Sequence, residues 1–389
     1  MKSINFGEKN YRFLIFYILL LFYYLFIPFF LIKTGHFFNI VKDSIAYTDI
    51  ASAYKNTLRI INIELLFLFI TIISFFLYLF IKTLCNTSKQ DKNIKNISLF
   101  FYIILATCSL ILLVDISLLI YKLFLKEILF TRDNIYIHFL HNKRTTHIII
   151  GSIIAVYLFI EKKNKLSILF FLLLILFTIL TFSRFELLLF LISYFLFIDK
   201  NKIKYFLSIF IIFILYRIIF NAFIYKTTLT SIIMTILWEP SSIWLNAINT
   251  YANYLYFFEQ ENYLYQIFLN NFSMDALSSN RYEQIFFKKN IFLYPVSTAR
   301  LGFLEFIGYP ITLLILAIFA LIQKKIISNF LNLKNLYYIL SVYLTFFSLR
   351  GSLLNGFLFI NKFLLLIMAL ILITKSYKLI KDKLNIKFF

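Results

Sequence analysis

Cysteine, glycine, proline, histidine and acidic side chains are all scarce in this 389-residue chain. Its two cysteines fall one inside an apolar run (Cys108) and one at the end of another (Cys85), so a structural disulfide between them is not expected. Glycine occurs seven times and proline four times, and nothing resembles a P-loop, a GxSxG elbow or a dinucleotide-binding fingerprint. Of the four histidines, His138, His141 and His147 lie close together. Arg132, Lys143 and Arg144 surround them and no HExxH pattern appears, so they read as loop histidines without a ligand role. Asp43 and Asp49 form no adjacent acidic pair, which argues against a metal-bound sugar-diphosphate site. No metal and no cofactor is expected.

The chain also has few long polar stretches. Apolar runs recur from residue 11 to residue 374, broken at length only by residues 225–301. Hydrophobic residues make up 61% of the chain, against roughly 45 to 50% in soluble domains. A helix needs roughly 20 mostly apolar residues to cross about 30 Å of hydrocarbon. Spans are placed at about 11–32, 60–81, 97–120, 146–160, 166–182, 185–198, 205–224, 302–322, 336–349 and 353–374, the fourth, sixth and ninth being short. The first follows Lys9 and Arg12 as a signal sequence would. It is too long for a cleaved segment and lacks a small-residue cleavage site, so it reads as a retained span. The expected fold is an all-α polytopic integral membrane protein of about ten transmembrane helices with one large folded external loop.

Charge sets the expected orientation. The net charge of +21 would suggest nucleic acid in a soluble protein, but here most lysines sit in short segments between apolar runs. The N-terminus, residues 82–96, 161–165, 199–204 and 323–335, and the tail from Lys375 hold roughly 21 Lys and Arg in about 66 residues. The alternate segments hold roughly 16 in about 137. Both termini are therefore expected in the cytoplasm, and no nucleic-acid partner is expected. Residues 1–224 form a membrane bundle of about seven helices, 225–301 an external loop with short helices, and 302–389 a bundle of about three helices with a cytoplasmic tail.

The external segment carries Trp238, Trp244 and eight tyrosines, a composition unlike that of disordered chains. Pro240 suits the first position of a helix on which Leu245, Ile248, Ala252 and Leu255 share one face and Asn246, Asn249 and Asn253 another. Such tryptophans stack on sugar rings and such amides bond hydroxyls. An interfacial aromatic belt is the other reading of the same residues. The acids of this loop, Glu239, Glu259, Glu261, Asp275 and Glu283, are each candidates for a general base. No internal repeat appears, which argues against a transporter built from duplicated halves.

Ionisable residues within or at the edges of spans are costly and usually functional. They are Glu64, Asp115, Arg184, Glu186, Arg217, Glu305, Arg350 and Lys362. On the expected topology Arg184, Arg217, Arg300 and Arg350 converge on the outer leaflet from separate helices, against the positive-inside trend. Guanidinium forks match phosphate geometry and stay charged when desolvated.

Ser183 and Arg184 opening a span, one long outer loop late in the chain, and the run from Ser297 to Ile315 with Gly302, Glu305 and Gly308 together resemble the O-antigen and capsular repeat-unit polymerases, the Wzy family, related to the O-antigen ligases. The resemblance covers nearly the whole chain but rests more on architecture than on letters. Arg-x10-Gly repeats do not follow Arg184, Arg281, Arg300 or Arg350, and the long loop has no histidine such as the ligases use, so it favours a carboxylate or substrate-assisted base. The implied reaction joins undecaprenyl-diphosphate-linked oligosaccharide repeats at the outer face of the bacterial inner membrane. It needs no metal, and the implied partners are the lipid-linked glycan, the bilayer, a chain-length regulator and a flippase. Arg184, Arg217, Arg281, Arg300 and Arg350 would hold the diphosphate, with Trp238, Trp244, Asn246 and Asn249 on the glycan. Glu239 would act as base and Glu305 would orient an arginine. A lipid-linked oligosaccharide flippase or transporter, or an O-antigen ligase-like glycan transferase, is the alternative.

Overall fold

The computed structural model of the protein describes residues 6–36, 62–86, 95–130, 135, 146–162, 165–181, 185–195, 197, 237, 240–241, 243–244, 303, 306, 310–331, 333–351 and 353–384. Every regular element among them is helical. In chain order they are α1 (Phe6–Leu21), a π-helical segment (Phe22–Phe26), α2 (Ile27–Lys33), α3 (Ile63–Cys85), α4 (Lys95–Phe124), α5 (Thr146–Lys162), α6 (Lys165–Thr181), α7 (Phe185–Phe195), α8 (Pro310–Ser328), α9 (Lys334–Arg350) and α10 (Leu353–Leu384). The span expected at 205–224 and nearly all of 225–301 lie outside the described residues.

Among the described residues, five helical stretches are long and apolar enough to cross a membrane: Asn10–Lys33, Ile63–Cys85, Leu99–Phe124, Pro310–Ser328 and Leu353–Ser376. Their outward faces make the case as strongly as their length. On α8, Ile311, Leu314, Ile315, Ile318, Ile322 and Ile326 follow one another at helical spacing, and all are exposed. The opposite face buries Leu313, Leu316, Ala320, Gln323 and Ile327. In water such a stripe would be an aggregation site; in lipid it is the ordinary surface. The chain has the build of a multi-pass membrane protein.

Helix α8 is described from Pro310 onward, and the start expected near 302 lies among residues outside the described ones. One boundary differs from the sequence expectation. At the other end α10 runs on to Leu384, ten residues past the expected end of its span. The segment KSYKLIKDKL consists largely of good helix formers, and nothing in it stops the helix.

The described chain divides into two compact units, with boundaries at the last residue of α3 and inside α8, α9 and α10. In the first, α1 through α2 runs antiparallel to α3, and side chains fix the register. The Tyr17 hydroxyl donates to the Ser74 carbonyl at 2.6 Å, Phe29 stacks on Phe67 with ring centroids 4.2 Å apart, and Lys33 pairs with Glu64 at the end of the hairpin. Asn361 on α10 donates its side-chain amide to the Leu316 carbonyl at 3.1 Å. Buried amides of this kind hold helices together where lipid removes the hydrophobic drive to associate.

In the second unit α4, α5, α6 and α7 run up and down. Phe101 on α4 meets Tyr157 on α5, while Phe159 on α5 and Phe171 on α6 meet Tyr194 and Phe190 on α7. Gly151 on α5 faces Cys108 on α4 and Phe170 on α6 at close range. A Cβ placed on it would lie 2.5 Å from the Phe170 ring and 3.1 Å from the Cys108 Cβ. A small residue at such a crossing lets helix backbones approach. The first half of α9 belongs here too, and its Leu336, Tyr337, Ile339, Leu340, Ser341 and Val342 are all buried. An enclosed helix has no lipid face to satisfy, so it can carry hydroxyls. Ser341 returns its hydroxyl to the Tyr337 carbonyl at 2.7 Å and lies 3.4 Å from the Cys85 thiol.

Candidate functional site

Two polar features stand out. The first begins with Pro28, which lies two residues beyond the π-helical segment. Proline has no N–H to give to the carbonyl four residues back, and its ring crowds that carbonyl. Here that carbonyl belongs to Tyr24, inside the π-helical segment where the helix widens. The indole N–H of Trp244 supplies a donor to it at 2.7 Å. Trp244 is fully buried, as are Pro240, Ser241 and Ile243 beside it. Ser241 returns its hydroxyl to the Leu237 carbonyl at 2.7 Å. This stretch of the chain is thus seated against the first helix.

The second feature is an acid and an imidazole inside the second unit. Asp115 lies on α4, nine residues before its end, and His147 is the second residue of α5. The Asp115 Oδ2 is 3.3 Å from the His147 Nε2, with side chains 12% and 16% exposed. Two antiparallel helices bring them together. From Cys108, two turns along α4 reach Asp115; from Gly151, one turn back along α5 reaches His147. The neighbouring Leu112, Ile116, Leu119 and Ile148 are all buried. On α6, Thr178 and Thr181 belong to the buried face, two or three turns beyond Phe170. Thr181 bonds back to the Phe177 carbonyl at 2.7 Å, whereas the Thr178 hydroxyl has no hydrogen-bond partner among the described residues.

Of the residues singled out in sequence, Trp244 is fully buried with its N–H engaged, and Arg350 ends α9. Glu64 pairs with Lys33 on the exposed surface, Asp115 pairs with His147, and Lys362 lies within α10. Glu186 lies on α7. Arg184, Arg217, Trp238, Glu239, Asn246, Asn249, Arg281, Arg300 and Glu305 lie outside the described residues. The expectation for His147 changes: it stands in the first turn of a helix and faces a carboxylate, and is not a loop histidine. The available signal was the apolar run that begins directly after it, HIIIGSIIAVYLFI. Two residues not singled out, Arg12 and Gln323, are buried within α1 and α8.

Searches of protein-family models, of curated proteins and of solved structures returned no match to this chain.

Proposed function

We propose that the protein is a polymerase that joins undecaprenyl-diphosphate-linked oligosaccharide repeat units into a surface polysaccharide, on the outer face of a bacterial inner membrane. In this reading the chain crosses about ten times with both termini in the cytoplasm, and residues 225–301 form the outer loop. The acceptor's terminal hydroxyl attacks the anomeric carbon of the donor glycan, and undecaprenyl diphosphate leaves. Arg184, Arg217, Arg300 and Arg350, with Arg281, neutralise the charge that develops on it. No metal ion takes part.

One observation carries the reading. In sequence, arginines lie at or near the ends of several separate apolar segments, and on the expected topology these are outer ends, where the charge trend of membrane proteins disfavours them and a diphosphate would require them. The seating of Trp244 against Tyr24 supports an outer segment that folds onto the membrane bundle rather than trailing from it.

The deciding experiment is a gel ladder of surface polysaccharide from a deletion strain. Loss of long chains with single repeats still attached is the expected result. An unchanged ladder in a strain lacking any second polymerase would refute the reading. The buried Asp115 and His147 pair favours a second reading, a proton-coupled flippase for lipid-linked oligosaccharides, since such pairs line proton paths in transporters. Loss of a flippase would instead leave the repeats on the inner leaflet.

A further inference from the structure

We propose that the turn between α8 and α9, with the adjoining stretch of α10, binds an anionic phospholipid. Lys375 and Lys325 hold its phosphate, and its acyl chains lie on the exposed aliphatic residues that lead to them. The inference stands apart from the polymerase reading, and all of its parts belong to the second unit. It begins with charge. Residues 323–335 and 375–389 together carry eight lysines and a single acid, Asp382. Among the described residues, the carboxylate placed against this turn is Glu161 of α5, and it accepts from the Asn335 amide at 2.7 Å.

Geometry singles out one of these lysines. The Lys375 ammonium lies 3.5 Å from the centroid of the Phe330 ring, a close approach of a cation to an aromatic face. The ring is itself well placed. The Phe330 and Leu331 N–H groups both donate to the Ile327 carbonyl at 2.9 Å, and Leu331 and Leu333 are buried. A lysine held in this way has less rotamer freedom to lose when it takes a ligand. Its ammonium carries three donors, so one set over a ring can still donate to a phosphate oxygen. A lysine that only snorkels to water needs no such ring.

The surface that leads to this ammonium suits a lipid. On α10, Leu366, Leu372 and Ile373 are exposed, and on α8 Ile326 is exposed beside the exposed Lys325. Acyl chains match such residues, whereas a soluble anion would gain nothing from them. Depth fits as well. The apolar stretch of α10 ends at Ser376 and the helix continues to Leu384, so about 12 Å of helix follows the membrane edge. A headgroup layer is only about 5 to 8 Å thick. Lys375 stands where that layer begins, at the level of the phospholipid phosphates.

The test uses the purified full-length protein in detergent, with phosphatidylglycerol or phosphatidylcholine added back at equal mole fraction. Native mass spectrometry counts the retained lipid, and the melting temperature reports its effect. Phosphatidylglycerol should be retained in preference to phosphatidylcholine and should raise Tm more. Lys375→Gln should weaken its binding roughly fivefold, the contribution of one lysine near an anionic surface. Phe330→Leu should weaken it too, because the ammonium is then no longer held. Lys375→Arg keeps the charge and the stacking and should bind as the wild type does. Lys82→Gln removes a lysine from the last turn of α3 and should leave retention unchanged.

Equal retention of the two lipids by the wild type would overturn the proposal. So would a loss on Lys82→Gln equal to that on Lys375→Gln, since the attraction would then belong to the whole surface. Stabilisation by inorganic phosphate that matches phosphatidylglycerol would make this a soluble-anion site and refute the lipid assignment. Each variant is scored as a monodisperse protein; should Phe330→Leu fail to fold, the contrast between Lys375→Gln and Lys375→Arg decides.

Discussion

Replacing Trp244 separates two roles for the aromatic residues of the long outer segment, because a packed anchor and a sugar platform fail in different ways. The Trp244 side chain is fully buried and donates its N–H to the Tyr24 carbonyl at 2.7 Å. Trp244→Phe removes that bond, worth about 1 kcal/mol net, and withdraws a donor from a buried carbonyl, which costs a further 1 to 3 kcal/mol or so. The expected destabilisation is about 2 to 4 kcal/mol; Trp244→Ala, which also opens a cavity, should cost about 3 to 5 kcal/mol. Pro28 supplies the internal control. Pro28→Ala restores an N–H four residues after Tyr24, which can donate to the same carbonyl. The double variant should therefore be less destabilised than the sum of the single changes, with a coupling of about 1 kcal/mol. Detergent-solubilised protein titrated with a denaturing detergent and followed by tryptophan-independent circular dichroism measures this. If Trp244→Phe unfolds with the wild type but raises the KM for glycan acceptor, Trp244 belongs to the substrate surface and the anchoring argument is wrong.

The remaining predictions concern packing, the arginines and the topology. Gly151→Ala should destabilise the second unit by about 1 to 2 kcal/mol, since crowding against Phe170 and Cys108 outweighs the gain in helix propensity of about 1 kcal/mol; Phe170→Leu in the same chain should recover part of the loss, and a melting temperature at or above wild type would contradict the contact. Arg184→Ala should slow polymerisation by roughly one to two orders of magnitude, a charged hydrogen bond being worth about 1.5 to 3 kcal/mol, and Arg184→Lys should recover only part of it. Wild-type turnover by folded Arg184→Ala protein would mark the residue as a headgroup contact. Reporter fusions after Asn96, Lys200 and Lys334 should read cytoplasmic and one after Asn270 external; a cytoplasmic Asn270 would move the outer segment to the wrong side for the proposed reaction.

The helices were legible because lipid imposes a simple rule. Every backbone polar group must be paired inside the segment, so length and apolar content alone mark it. On that basis the expected spans at 60–81, 97–120 and 166–182 fall on α3, α4 and α6 with ends within a few residues. The same rule erases the signal for packing. On α8 both the lipid face and the enclosed face are mostly aliphatic, so periodicity does not say that Leu313 is inside and Leu314 outside. The widening at Phe22–Phe26 was half visible, since Pro28 announces a carbonyl in need of a donor, but nothing local names Trp244, which lies 220 residues further on, as that donor.

Asp115 and His147 show where sequence reasoning stops. Asp115 was conspicuous as a lone acid in an apolar run. His147 looked ordinary beside Lys143 and Arg144, because a run of polar residues conceals the first turn of the helix that follows it. Only the antiparallel register, set by Gly151 admitting Phe170 and Cys108, places the imidazole on the carboxylate. Chemistry in such a protein depends on residues that are few, far apart in sequence and surrounded by interchangeable aliphatics. A buried ionisable group therefore indicates where a partner must be, and helix register then determines which residue that partner is.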